Sequence, residues 1–412
     1  MVKDWTASLA FVGALAMAQA GAAADKQYGP GVTDTEITIG QTAAYSGPAW
    51  TYGAFSKTEV AYVRMINERG GINGRKVNLI SLDDGYSPAK TVEQTQRLVE
   101  QDHVLGIFHS LGTSPNAAIQ DYLNKMHVPH FALSGASRFN DPAHYPWTMG
   151  VIASYETEGR IYGKYILQNI KDPKIAVLYQ NDDLGKDYLK GLQDGLGERA
   201  SRLIVNALSY ELNDPTMAAL AGMGIATVDS QIAEFKASGA NVFLNASSPR
   251  FSAQAIRKAF NIGWRPAHFL ASTGQSIPAA LAAAGVEKAI GIISASPNKL
   301  PNDPAWASDK GVQDYLAFMK TYFPDQDPND SLTQSGYALA QTMLYILEQC
   351  GDKLTRENLM YVATHMHDVE FPQLLPGIKI NTSPANYRGY NQMQLVKFDG
   401  TRWAPFGDII GE

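Results

Sequence analysis

Two hydrophobic periods alternate along the chain. Nearly continuous apolar runs come first: "EITIGQTAA", "KVNLISLDD", "HVLGIFHS" and "VPHFALS". After a break follow "KIAVLYQND", "RLIVNALSYE", "ANVFLNAS", "AHFLAS" and "GIISAS". Short runs of this kind read as strands buried on both faces. Between most of them lie stretches such as "SPAKTVEQTQRLVEQ" and "LGKDYLKGLQDGLGE", whose apolar positions recur with the period of an amphipathic helix. The alternation predicts an α/β protein with doubly wound parallel sheets. It occurs twice, over about residues 36–150 and 155–296, so two lobes are expected, with "DPAHYPWTMGVIASYETEG" crossing between them. Past Ser296 two helical patterns follow, and the end, "INTSPANYRGYNQMQLVKFDGTRWAPFGDII", alternates about a "DGTRW" turn and predicts a β-hairpin.

Composition narrows the setting. A chain of 412 residues accommodates two or more domains. Its 34 Lys and Arg against 40 Asp and Glu give a net charge of −6 with no basic block, so neither nucleic acid nor an anionic membrane is an expected partner. At the N-terminus, Lys3 precedes "ASLAFVGALAMA", which has the length of a signal-peptide core and is too short to span a bilayer. "QAGAAADK" then offers a cleavage site near Ala24. The expectation is an exported periplasmic protein with residues 1–24 as its signal peptide. Cys350 is the only cysteine, which excludes an intrachain disulfide and a lipidated cysteine at the cleavage site. Its context "ALAQTMLYILEQC" predicts a buried small hydrophobe.

In open α/β sheets ligands collect beyond the carboxyl ends of the strands. The loops there are "YSGPAWTYG", "DDGYSPA", "HSLGTSPN" and "SGASRFND" in the first lobe, and "QNDDLGKD", "ASSPRFS" and "ASTGQS" in the second. Small and hydroxyl residues next to helix N-termini suit an anionic oxygen group such as a carboxylate. Thr113 fits a ligand role or an N-cap role, which Ser114 fits as well, and Ser134 and Ser137 share that ambiguity. Trp50 and Tyr52 fit either a ligand or packing between lobes. No nucleophile elbow, Walker loop or dinucleotide fingerprint occurs, and "GLQDGLG" sits inside a helical pattern. His127, His130, His365 and His367 form no convincing metal set, and Asp83 and Asp84 read as a solvated turn. Neither an enzyme nor a cofactor is expected.

The segment "INERGGINGRKVNLISLDD", together with the order SGP…YG, D-D and "VPHFALSGAS", resembles the type I periplasmic solute-binding proteins, the branched-chain amino-acid binders and relatives that feed ABC importers. The resemblance runs from about Glu36 through the C-terminal hairpin. It implies a Venus-flytrap: a first lobe of residues 36–151 plus 297–372, a second of 152–296 plus 373–412, and a hinge of three crossings. A monomer that hands its ligand to ABC permease subunits is implied. By the same resemblance, Ser110, Thr113, Ser134, Gly135, Ala136 and Ser137 hold a carboxylate, with Ala136 offering only its backbone. Tyr52 matches a ring contact of that family. Beyond the family pattern, Trp50 and Tyr155 are expected to add rings, and Asn181, Leu184, Ser247 and Ser272 to complete the site from the second lobe. Relatives place a tyrosine and a glutamate near the ligand ammonium, where this chain has Ser247 and Ser272, and a further tyrosine where it has Leu184. Less charge and an added ring at Trp50 point to an aromatic acid: a benzoate, phenylpropanoid or cinnamate. "SGASRFNDP" and the tail resemble the aromatic-acid subgroup. Alternatives are a branched-chain amino acid, an amide or urea-type solute, or a sensor module of the same fold.

Overall fold

The computed structural model describes residues 26–212 and 228–411, and the expected signal peptide lies outside the described residues. The first lobe is built on β2 (Glu36–Ala43), β3 (Lys76–Asp83), β4 (Ile107–Leu111), β5 (His130–Leu133) and β6 (Thr148–Gly150), which follow the short strand β1 (Gln27–Tyr28). They form a parallel sheet in the order β3-β2-β4-β5-β6. Register places the site. β2 and β3 pair from Glu36↔Lys76 to Ala43↔Asp83, so the loops after them leave the sheet side by side. Leu111 pairs with Leu133, so Thr113 and Ser134 emerge as neighbours.

Helices cover both faces. α1 (Gly53–Glu68), α2 (Pro88–Glu100) and α3 (Thr113–Lys125) connect the strands. The helix Ser331–Gln349 packs on α1, burying Met343, Ile346 and Leu347 in the first-lobe core, and Cys350 at its end is buried as expected.

The second lobe begins with α4 (Tyr155–Asn169) and continues through β7 (Ile175–Gln180), α5 (Asp183–Leu196), β8 (Ile204–Tyr210), β9 (Val242–Ala246), β10 (Ala267–Leu270) and β11 (Ile293–Ser296). β12 (Lys353–Leu354) returns to pair with β1, while β13 (Gln392–Phe398) and β14 (Trp403–Gly411) form the expected antiparallel hairpin. The second sheet runs β14-β13-β11-β10-β9-β7-β8. "GLQDGLG" proves to be a packing device. A Cβ on Gly191 would stand 2.1 Å from the Glu156 carbonyl, so α5 rests directly on the backbone of α4.

The chain passes between lobes three times: at 151–154 after β6, at 297–298 after β11, and just before β13. The last two passages run together, with the Leu375 N–H donating to the Pro297 carbonyl at 2.9 Å. The lobe boundary expected at 373 moves. Leu374, Leu375, Ile378, Ile380 and Tyr387 are apolar and buried in the first-lobe core, so the chain leaves that lobe only after Tyr387.

Candidate functional site

The two lobes meet along an apolar seam: Tyr52, Tyr86, Leu111 and Leu133 of the first lobe belong to one buried cluster with Tyr210 of the second. They are drawn together. The Tyr52 hydroxyl donates to the Thr273 carbonyl at 3.0 Å, Ser114 Oγ donates to Asp182 Oδ2 at 3.0 Å, and Arg138 bridges to Asp183 at 3.0 Å. The Ser137 N–H donates to Asp187 Oδ2 at 2.6 Å, and its Oγ donates to Oδ1 at 3.1 Å. This is a closed arrangement.

A cavity remains in the seam, with about 380 Å³ free of protein atoms and partly open to solvent. Tyr52, Phe55, Tyr86, Tyr155 and Leu184 wall it, and Thr113 closes one end. Its polar end is a chain of hydroxyls. Thr113 Oγ1 lies 2.9 Å from Ser134 Oγ, which accepts the Ala136 N–H at 3.2 Å and lies 3.4 Å from the Tyr155 hydroxyl. Local sequence builds this end. Asn116 Nδ2 donates to the carbonyls of Ser110 and Gly112, and its Oδ1 meets His130 Nε2 at 2.7 Å. Burial pushes the His130 imidazole down to about 3, so at neutral pH it is an uncharged prop. Gly112 adopts φ of 102°, and a Cβ there would stand 2.3 Å from the Tyr86 ring, so only glycine lets that ring lie over the start of α3.

Burial raises the phenols of Tyr52 and Tyr86 well above their usual value and raises that of Tyr155 too, with Asp182 adding to the effect on each. All three stay protonated donors at neutral pH. Asp182 is itself raised by burial, and its oxygens accept from Ser114, Gln180 and the Leu184 N–H. Glu158, fully buried behind the cleft, accepts from Tyr162 at 2.7 Å, from Tyr188 at 2.8 Å, and from the N–H and Oγ of Ser272 at 2.6 Å each. Among the described residues no group of three or more His, Cys, Asp or Glu is placed to hold a metal.

The structure brings Tyr52, Thr113, Tyr155 and Leu184 to the cavity, with Ser134, Gly135 and Ala136 directly behind. It does not bring Trp50. That ring is 59% exposed, because Trp50–Tyr52 forms a single 3-10 turn that aims successive side chains apart. Ser110 is buried in β4, where its Oγ accepts the Thr42 N–H at 3.0 Å. Ser137 is committed to Asp187. Asn181 is exposed and bonded to Glu211. Ser247 bonds inside its own lobe, to Asn245 at 2.6 Å and Ser252 at 2.8 Å. Ser272 lines a neighbouring chamber and bonds to Glu158. Asp83 and Asp84 are not a free turn. Asp83 accepts the N–H groups of Tyr45, Ser46 and Gly85 and so fixes the first loop, while Asp84 is buried and accepts from Tyr86 N–H and Thr91.

Tyr86, Phe55, Ile152 and Thr273 were not singled out by sequence reasoning. Tyr86 had a signal, an aromatic residue after a strand-ending "DDG". The others depend on how the lobes meet.

A two-lobed α/β molecule with its cavity at the carboxyl ends of both sheets is a cleft-binding protein of the flytrap class. Residues 36–402 match the periplasmic binding protein family. The chain belongs to that family, and its fold is the type I form. The Leu/Ile/Val-binding protein of Escherichia coli K12 is 24% identical over 321 residues, covering 77% of this chain and 80% of that one. An amino acid binding protein of Pseudomonas aeruginosa is 27% identical over 189 residues, spanning 43% of this chain and 46% of that relative. Among solved structures, a branched chain amino acid ABC transporter from Thermus thermophilus with bound valine superposes with a TM-score of 0.79 at 17% identity, covering 92% of this chain and 98% of that chain. A fatty acid ABC transporter substrate-binding protein from Thermomonospora curvata gives 0.77 at 19% identity, covering 94% and 95%. Among the described residues no helix is long and apolar enough to cross a membrane.

Proposed function

We propose that this protein captures a small apolar carboxylic acid, most suitably one bearing an aromatic ring, between its lobes in the periplasm, and presents it in closed form to the permease of an ABC importer. The observation that carries the reading is the cavity lining. Rings and aliphatic side chains surround a hydroxyl cluster, and no Lys, Arg, Asp or Glu is among the lining residues. Neutral donors at the start of α3 satisfy a carboxylate without a counter-cation. Ring-on-ring contacts with Tyr52, Phe55 or Tyr155 contribute about 0.5–1.5 kcal/mol beyond area burial.

A branched-chain amino acid is the second reading. It is favoured by Asp182, a second-lobe carboxylate close enough to act on Tyr52, Tyr86 and Tyr155, and by the names of the relatives. Against it, the Asp182 oxygens already hold three donors and the residue caps α5. A thermal-shift panel decides. Benzoate, cinnamate or 3-phenylpropionate at about 100 times Kd adds about 2.7 kcal/mol to stability, while leucine, isoleucine and valine leave Tm unchanged. Stabilisation by leucine with none by the aryl acids overturns the aromatic reading in favour of the second.

A further inference from the structure

One buried carboxyl takes no part in the cavity lining, yet two of its partners lead across the seam. Glu158 lies on α4, three residues after Tyr155, and is 1% exposed. Each of its oxygens meets two donors. Oε1 accepts the Ser272 N–H at 2.6 Å and lies 2.7 Å from the Tyr162 hydroxyl. Oε2 accepts Ser272 Oγ at 2.6 Å and the Tyr188 hydroxyl at 2.8 Å. A carboxyl withdrawn from water is costly unless its oxygens are hydrogen-bonded. A buried polar network with every member satisfied is rigid.

The first path runs through Ser272. Ser272–Gly274 form a single 3-10 turn after β10, and Glu158 holds both the N–H and the hydroxyl of its first residue. The last residue is pressed onto the same lobe, since a Cβ on Gly274 would stand 2.8 Å from the Ser247 carbonyl. Between these anchors the Thr273 carbonyl is aimed at the first lobe, where it accepts the Tyr52 hydroxyl at 3.0 Å. The second path runs through Tyr188. Glu158 fixes its hydroxyl, and its ring stacks on Tyr155 with centroids 5.0 Å apart and planes at 24°. Tyr155 in turn brings its hydroxyl to 3.4 Å from Ser134 Oγ of the first lobe.

We propose that Glu158 is a positioning residue for lobe closure. From inside the second lobe it fixes the two groups that the first lobe meets, the Thr273 carbonyl and the Tyr155 ring. A contact made only when the lobes are shut shifts the balance toward the shut form, and the Tyr52–Thr273 bond joins residues of different lobes. Glu158 touches no ligand in this role, and the role is independent of which solute the cleft takes.

The rate at which a cysteine pair across the seam oxidises reports how often the closed form is visited, with no ligand needed. Ser137→Cys with Asp187→Cys supplies the pair, because those side chains meet there and Cys350 is buried. Diamide is added to the full chain carrying this pair, alone or with Tyr52→Phe, Ser272→Ala, Glu158→Gln, Glu158→Gln plus Tyr52→Phe, or Val396→Ala. Tyr52→Phe and Ser272→Ala should each slow the disulfide about 3- to 10-fold. Glu158→Gln should slow it about tenfold or more, and adding Tyr52→Phe to Glu158→Gln should change the rate by less than about twofold, because the bond is already lost. Val396→Ala opens a cavity in the second-lobe core. It should lower Tm and leave the rate within about twofold. Rates within about twofold of the parent in both Glu158→Gln and Ser272→Ala overturn the proposal, whatever their Tm. So does full additivity of Glu158→Gln with Tyr52→Phe, since the carboxyl then acts apart from the Thr273 carbonyl. A loss in Val396→Ala equal to that in Ser272→Ala overturns it as well, because the effect is then on the stability of the lobe.

Discussion

Thr113 and Trp50 illustrate opposite fates for residues chosen from the same kind of loop. Thr113 follows β4, and the pairing of Leu111 with Leu133 places it beside Ser134, with its hydroxyl 2.9 Å from that serine. Hydrogen bonds to charged groups contribute about 1.5–3 kcal/mol. Thr113→Ala should therefore weaken an aryl carboxylate about 10- to 100-fold and its uncharged amide much less, as read by titration calorimetry. Equal losses for acid and amide would remove the carboxylate from this loop. Trp50→Ala serves as the control: an exposed ring outside the cavity should leave affinity within about twofold. Loop composition announced hydroxyls and rings, but not their directions. A 3-10 turn separates Trp50 from Tyr52, and the hydroxyls of Ser137 and Ser247 are consumed by Asp187 and Asn245, partners distant in sequence or hidden by folding. The reading of less charge at the site also changes, since the Asp182 carboxylate of the second lobe adds to the raised phenols of Tyr52 and Tyr155.

At the scale of elements, period alone located the sheets, because strands covered on both faces are apolar throughout. β2 through β11 fall on the runs read as strands, apart from the short β6 within the crossing segment, and the terminal hairpin forms about the "DGTRW" turn. What period could not carry is the closeness of neighbours. α4 and α5 contribute Gly159, Gly163, Gly191 and Gly195 at positions where a Cβ would meet the opposing backbone at 2.1 to 2.9 Å. That contact holds α5 where Asp183 and Asp187 reach the first lobe. Gly191→Ala should destabilise the protein by about 1–3 kcal/mol through overpacking, seen as a lower urea midpoint with unchanged slope. An unchanged midpoint would mean that the helices part without cost. The lobe boundary was also misplaced for want of this information, since buried Leu374 to Tyr387 look no different in pattern from the approach to β13.

For the whole molecule, closure has a titratable clasp. Burial raises the Asp187 carboxyl from 3.8 to about 6, opposed by the Ser137 bonds and reinforced by Glu156 and Asp183. A carboxyl raised on folding contributes stability that is full below its unfolded value and is lost as pH rises through the folded one. The Asp187 contribution is thus present below about pH 4 and gone above about pH 6. Asp187→Asn keeps an acceptor for Ser137 without the charge. Scanning calorimetry should find the decline in Tm between those pH values shallower in the variant than in the wild type. An identical slope would assign the decline to other groups.

Cys350 is the only thiol in the chain, it is buried, and burial pushes it up to about 12, so it is a poor nucleophile at neutral pH. A cysteine introduced by Trp50→Cys would accordingly be the sole site open to a maleimide fluorophore. The dye would sit outside the ligand cavity, on the same turn as Tyr52, whose hydroxyl reaches across to Thr273 when the lobes are shut. With that one substitution the fold provides the attachment point for a reagentless optical sensor of whatever small molecule the protein binds.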